Sequence, residues 1–233
     1  MKQVSDGIGQ AFSLIFTLDP GLLNIIVLSL WVSGVAIIFA SAIALPLGTV
    51  LARSRFPGRS SIIILLNALM GFPPVVVGLI VYLLFSRNGP LGVLDLLFTP
   101  TAMIIAQILL ALPIVASVTR QTIAMLWETN RELLISVGAN RLQQNATLLW
   151  EARFSLSTAI LVGFGRIIGE VGAVMIVGGN IDNLTRVLTT AIALETRKGN
   201  IGLAIGLGII LILIAILINA TVYFLTNLEE AKE

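Results

Sequence analysis

The chain has 233 residues, 57% hydrophobic and only 11% charged, with a mean hydropathy of +1.03. That is too little charge to cover a soluble surface, so lipid is the expected solvent, and a net charge of +2 gives no argument for nucleic acid. The lack of cysteine and histidine excludes disulfides, thiol nucleophiles and the usual zinc sites, and removes the commonest base near neutral pH.

Residues 1–21 read as an N-terminal amphipathic segment. Ile8, Ala11, Phe12, Ile15 and Phe16 recur at helical spacing, which predicts a helix lying at the membrane interface. A cleaved signal is not expected, because Lys2 is the only cation up to Leu18 and no A-x-A site follows.

Five apolar runs follow, from Leu22 to Ala52, Ile62 to Phe85, Thr101 to Trp127, Leu156 to Gly179 and Ile201 to Leu225. Each is long enough to cross the hydrocarbon core as a helix. None alternates with period two, so a β-barrel is not expected. The expected fold is an all-α membrane domain over residues 22–227, with about five transmembrane helices and a short tail at 228–233.

The connections set the orientation. The first and third are counted with Arg53, Arg55, Arg59, Arg120, Arg131, Arg141 and Arg153; the second and fourth hold Arg87, Arg186, Arg197 and Lys198. The excess of arginine places the first and third in the cytoplasm. Five spans then leave the N-terminus outside and the C-terminus inside. Pro46 and Gly48, then Gly71, Pro73 and Pro74, then Pro113 interrupt the first three spans. Such defects are tolerated beside protein or a water-filled cavity, though each also reads as an ordinary kink.

The third connection, residues 128–153, is too polar to span and too periodic for a loose linker. Glu132, Leu133, Leu134, Val137 and Leu142 predict two short helices around Gly138, offered as a docking element. The fourth span carries Arg166 and Glu170 among Gly165, Gly169 and Gly172. Charges four apart share a helical face and can neutralise each other. At mid-membrane such a pair either lines a polar path or locks two helices together. The glycines predict a face that another helix approaches closely. The stretch Gly178 to Arg186 supplies amides, hydroxyls and one guanidinium near the outer mouth, groups that suit a hydrated anion. There is no G-x-x-x-x-G-K-[ST], G-x-S-x-G or H-E-x-x-H, so no ATPase or hydrolase site is expected in this chain.

These stretches together resemble the permease subunits of ABC-type importers for molybdate, sulfate and tungstate. The run Glu132-Leu133-Leu134-Ile135-Ser136-Val137-Gly138-Ala139-Asn140-Arg141 is similar to their coupling loop. It keeps Glu132, Gly138, Ala139 and Arg141, has leucines for two alanines, and has Glu151 where proline is usual. Ala44 to Gly48 with Arg55 to Arg59, Phe72 to Gly78, and Gly165 to Ala173 with Gly179 to Ile181 resemble the family's other motifs. Thr185-Arg186 followed by Thr189 to Thr196 is closest to the tungstate branch.

The resemblance implies a homodimer of type I importer permeases working by alternating access. A cytoplasmic ATPase dimer would bind ATP and magnesium, and no cofactor would sit on this chain. An extracytoplasmic tungstate-binding protein would deliver the anion, and the chain would span the cell membrane. By the same resemblance Glu132, Leu133, Leu134, Gly138, Ala139 and Arg141 would couple to the ATPase. Arg166, Glu170, Gly169, Pro73 and Pro74 would shape or gate the path, and Asn180, Thr185, Arg186 and Thr189 would meet the anion or its carrier. A stand-alone secondary transporter shares the broken helices and buried charges, and a scaffold without transport would use the charge pair only for packing.

Overall fold

The computed structural model describes residues 20–230, and every regular element among them is helical. The expected interfacial pattern from Ile8 to Phe16 lies outside the described residues. In chain order the helices are α1 (Pro20–Arg53), α2 (Arg59–Met70), α3 (Pro74–Phe85), α4 (Pro100–Ser136), α5 (Arg141–Glu151), α6 (Arg153–Ile168), α7 (Gly172–Gly178), α8 (Leu188–Arg197) and α9 (Ile201–Glu230), with a 3-10 turn at Gly92–Leu94.

Three helices are long and apolar enough to cross a membrane alone: α1, α4 and the Ile201–Thr221 part of α9. Five crossings are reached when two bent pairs each count as one. The second apolar run, expected as one kinked helix, is broken in two. It is α2 and α3, bent by 107°. The cause is local: a residue before proline is pushed out of the helical region. Pro73, standing before Pro74, is extended (φ −62°, ψ 123°), and Pro74 restarts the helix as its first residue.

The fourth run divides too, with a 60° bend between α6 and α7. Here the breaker is a side chain. A carboxylate oxygen of Glu170 accepts the amides of Gly172 (2.8 Å) and Ala173 (3.2 Å), which in a continuous helix would bond the carbonyls of Ile168 and Gly169.

The third connection also differs from expectation. No Gly or Pro stands between Pro113 and Gly138, so α4 simply runs on to Ser136. The predicted pair of short helices is thus the end of α4 followed by α5.

The core lies where α1 runs along α4. Ala36, Ala40, Ala44 and Gly48 stand four apart on α1, all buried. A Cβ at Gly48 would lie 2.7 Å from the Ala116 carbonyl and from Thr119 Cβ, so only a bare backbone fits. Between helices in lipid, close packing rather than water exclusion supplies the attraction, and this small-residue stripe maximises it. The α4 residues Met103, Ala106, Ala111 and Val115 are equally enclosed.

The connections gather at two ends. At one end, Arg53 and Arg59 meet the α4–α5 hairpin and the close of α1. At the other, the start of α1 packs on α8 and α9 through Leu22, Leu188 and Leu207. There the Phe98 amide also donates to the Val177 carbonyl (2.8 Å), tying the loop before α4 to the end of α7.

Candidate functional site

The two helix breaks lie side by side. Gly78 of α3 is so close to α7 that a Cβ there would sit 2.7 Å from Ala173 Cα. Gly172 in turn faces Val75, just after the Pro73-Pro74 break. A broken helix leaves backbone groups unpaired at both new ends, and lipid cannot satisfy them. In the α6–α7 break several of these groups find partners within the protein. The Ile167 carbonyl accepts from Gln107 Nε2 of α4 (3.1 Å). The Glu170 carbonyl accepts from the Thr189 hydroxyl of α8 (2.9 Å). The Glu170 carboxylate takes the first amides of α7 with one oxygen and the Arg166 guanidinium with the other, at 3.1 Å.

The charge pair therefore forms, though not on one continuous helix. Glu170 stands in the break and is 6% exposed, while Arg166 is 37% exposed. The buried carboxylate is compensated three ways: by a guanidinium, by two amides, and by the positive end of a short helix. Arg166 keeps an open side. The predicted small-residue face is only partly used within the chain. Gly172 is in contact with α3, whereas Gly165 and Gly169 have nothing within 4 Å of a would-be Cβ. Gly163 rather than Gly165 makes the tight helix contact, against Val115 and Ile37.

The outer loop is more structural than its composition suggests. Thr185 is fully buried; its hydroxyl donates to the Gly178 carbonyl (2.5 Å) and accepts from the Ile181 amide (2.9 Å). Thr189 is buried on Glu170 as described. Neither hydroxyl faces the mouth. Asn180 adopts a left-handed backbone (φ 51°) beside Gly179 (φ 70°), on which the Phe98 ring lies. Arg186 pairs with Asp182 at 2.8 Å and borders shallow clefts against the first turns of α1. Of the four residues expected at the mouth, Asn180 and Arg186 keep surface there.

At the opposite end the α4–α5 hairpin is built around Gly138. Its left-handed backbone (φ 71°) lets its own amide reach the Ile135 carbonyl (3.0 Å) and the Ala139 amide reach Leu134 (3.2 Å). This pair of hydrogen bonds closes a helix at glycine. The Asn140 side chain and Gln143 then cap α5 reciprocally at 2.9 Å each. Leu134 is buried with Ile123, Leu148 and Leu156. Leu133, Val137 and Leu142 are 62%, 68% and 79% exposed, and Glu132 and Arg141 are exposed beside them. The hairpin is a rigid wedge with an apolar tip and charged flanks. Arg53, Arg55, Arg131 and Arg141 border one cleft at its base, about 690 Å³ in volume.

No family model matches the chain. It is 42% identical over 204 residues to the probable anion ABC transporter permease protein of Haloferax volcanii, covering 85% of this chain and 88% of that protein. It is 40% identical to the tungstate uptake system permease protein TupB of Peptoclostridium acidaminophilum, over 97% of this chain and 99% of that one. The chain belongs to the ABC anion-transporter permeases. The resemblance drawn from its motifs is thereby borne out. This permease is also 30% identical to the sulfate transport system permease protein CysW of Synechocystis, over 75% of its length and 68% of that protein's. It is a multi-pass membrane protein.

Of the permease residues singled out from the sequence, Arg166, Glu170, Gly169, Pro73 and Pro74 lie at or beside the two adjacent breaks, and the hairpin residues lie on one wedge. Sequence reasoning missed Gln107, which holds the α6 terminus, and Arg53, whose guanidinium reaches Gln144 and Asn145 on α5. A glutamine inside an apolar run is a legible signal. Nothing in the sequence joins Arg53 to residues some ninety positions away.

Proposed function

We propose that this permease is the membrane subunit of an ATP-driven importer for a tetrahedral oxyanion, tungstate above all, working by alternating access. One observation carries the substrate: 40% identity to a TupB across 97% of this chain, with a second TupB, from Campylobacter jejuni, at 40% over 94%. The sulfate permeases are more distant. Sulfate is the second reading, since it has the same charge and shape as tungstate, and molybdate shares both.

In this reading two copies enclose the path. The hairpin tip with Leu133, Val137 and Leu142 enters a cytoplasmic ATPase dimer, which binds ATP and magnesium. An extracytoplasmic binding protein meets the end bearing Asn180 and Arg186. The clustering of Arg53, Arg55, Arg131 and Arg141 at the hairpin end supports a cytoplasmic location there, with the N-terminus outside. Closure of the ATPases would draw the two hairpins together and rock the helices about the adjacent breaks. Arg166, 37% exposed, offers positive charge to a passing dianion, while Glu170 keeps that guanidinium in place.

The test is reconstitution of the permease with its ATPase and binding protein in proteoliposomes. ATP-dependent accumulation of tungstate, competed weakly by sulfate, is the expected result. Accumulation without ATP would point to a secondary transporter, and equal competition by sulfate would defeat the substrate assignment.

A further inference from the structure

Helices α1 and α5 share no extensive packing of their own. Leu45 and Ala52 of α1 pack at the margin of the cluster that holds Leu148. The Arg53 side chain reaches across to α5. Arg53, the last residue of α1, donates through Nη1 to the Asn145 side chain and to the Arg141 carbonyl (3.3 Å), and through Nη2 to the Gln144 side chain. Its guanidinium lies 4.2 Å from the ring centre of Trp127 on α4, within the range of a cation–π contact. Gln144 is buried and passes the link on, since its Nε2 donates to the Ala139 carbonyl in the hairpin turn (2.7 Å). Every acceptor is neutral. The group therefore does no charge balancing; its fork fixes direction.

The far end of α1 is tied as firmly. The Ser29 hydroxyl accepts the Leu188 amide at the start of α8 (2.9 Å), and the adjoining Thr189 holds the Glu170 carbonyl in the α6–α7 break. A continuous series of packed or hydrogen-bonded groups thus joins the hairpin to the broken helix, with α1 as its rod.

We propose that Arg53 is the positioning residue that transmits movement of the α5 hairpin to α1, and through α1 to the Glu170 break. This rests on the transport reading above. Arg53 touches neither substrate nor nucleotide; its part is to convert partner movement into helix movement.

The experiment compares the wild-type complex of permease, ATPase and binding protein with R53Q, R53K, Q144A/N145A and the triple variant R53Q/Q144A/N145A. It reads both anion uptake and ATP hydrolysis. In R53Q the complex assembles and hydrolyses ATP, but uptake per ATP falls by about tenfold, the size of one coupling free energy. R53K recovers only part, because an ammonium cannot fork. Q144A/N145A, which leaves Arg53 free to be hydrated, reproduces the loss, and the triple variant is no worse than either. Unchanged uptake per ATP in R53Q overturns the proposal. So does a proportional fall of uptake, hydrolysis and assembly, which marks a merely structural contact. If R53Q fails to assemble, Q144A/N145A decides, and normal coupling there overturns the proposal. A wild-type complex without ATP-driven uptake sinks the transport reading itself, whereas a coupled wild type with a coupled R53Q sinks only the role of Arg53.

Discussion

Replacing Glu170 by glutamine keeps the side chain's shape and removes its charge. The amide oxygen can still accept from Gly172 and Ala173, but the second carboxylate oxygen that holds Arg166 at 3.1 Å becomes an NH2 group pointing at a guanidinium. A hydrogen bond to a charged group is worth about 1.5–3 kcal/mol. Arg166 is 37% exposed, so water recovers part of that and the lower half of the range applies. The lost favourable field at the start of α7 adds about 0.5 kcal/mol. The sum is about 2 kcal/mol, which for a chain of this size lowers the melting midpoint by about 4–8 °C. The assay is thermal unfolding of the detergent-solubilised permease. The double variant R166Q/E170Q removes both charges and should melt above the sum of the two single losses, since neither charge is left unpaired. If E170Q melts within about 1 °C of wild type, or the two substitutions simply add, the pair does not hold the break and the reasoning fails.

Three further outcomes follow from the same geometry. T185V should cost about 1–3 kcal/mol, because the valine leaves the Ile181 amide and the Gly178 carbonyl without partners; hydrogen exchange at the Ile181 amide would show it, and unchanged protection would refute it. Lys198 and then Asn200, each hydrogen-bonded to Glu195, hold its carboxyl below the usual carboxylate range. That stabilisation is present above the ordinary carboxylate pKa and is lost as pH falls through the lower folded value, so wild type and E195Q should differ in melting midpoint at neutral pH and converge in acid; a gap that persists or widens there would contradict the sign. L142E places a charge on the 79% exposed tip of the hairpin, so it should leave the melting midpoint within about 2 °C and abolish co-purification of the ATPase; retained binding would place the docking surface elsewhere.

The sequence made some of this architecture legible and not the rest, for physical reasons that individual residues show. Lipid requires long apolar helices, so α1, α4 and α9 stand out from hydropathy alone. The break at Pro73-Pro74 is written in covalent geometry, because a proline restricts the residue before it. The break at Glu170 is hidden: Arg166 and Glu170 have the spacing of neighbours on an intact helix, and they do meet. Only the competition of a carboxylate for the amides of Gly172 and Ala173 reveals that the helix has ended. The burial of Thr185 and Thr189 is hidden for a related reason. A hydroxyl in a polar loop suits an anion and a backbone carbonyl equally well, and burial decides between them. Arg53 was read only as one more basic residue, since its acceptors come from a helix that is distant in sequence.

Gly165 and Gly169 leave stretches of main chain uncovered, and the guanidinium nearby is turned outward. Hydrocarbon tails offer no acceptor to any of these groups. That flank of the molecule is consequently unsuited to bordering lipid, and at membrane depth it has to meet either water or another polypeptide. A solitary copy dispersed in a bilayer would carry an exposed polar wound unless water reached it.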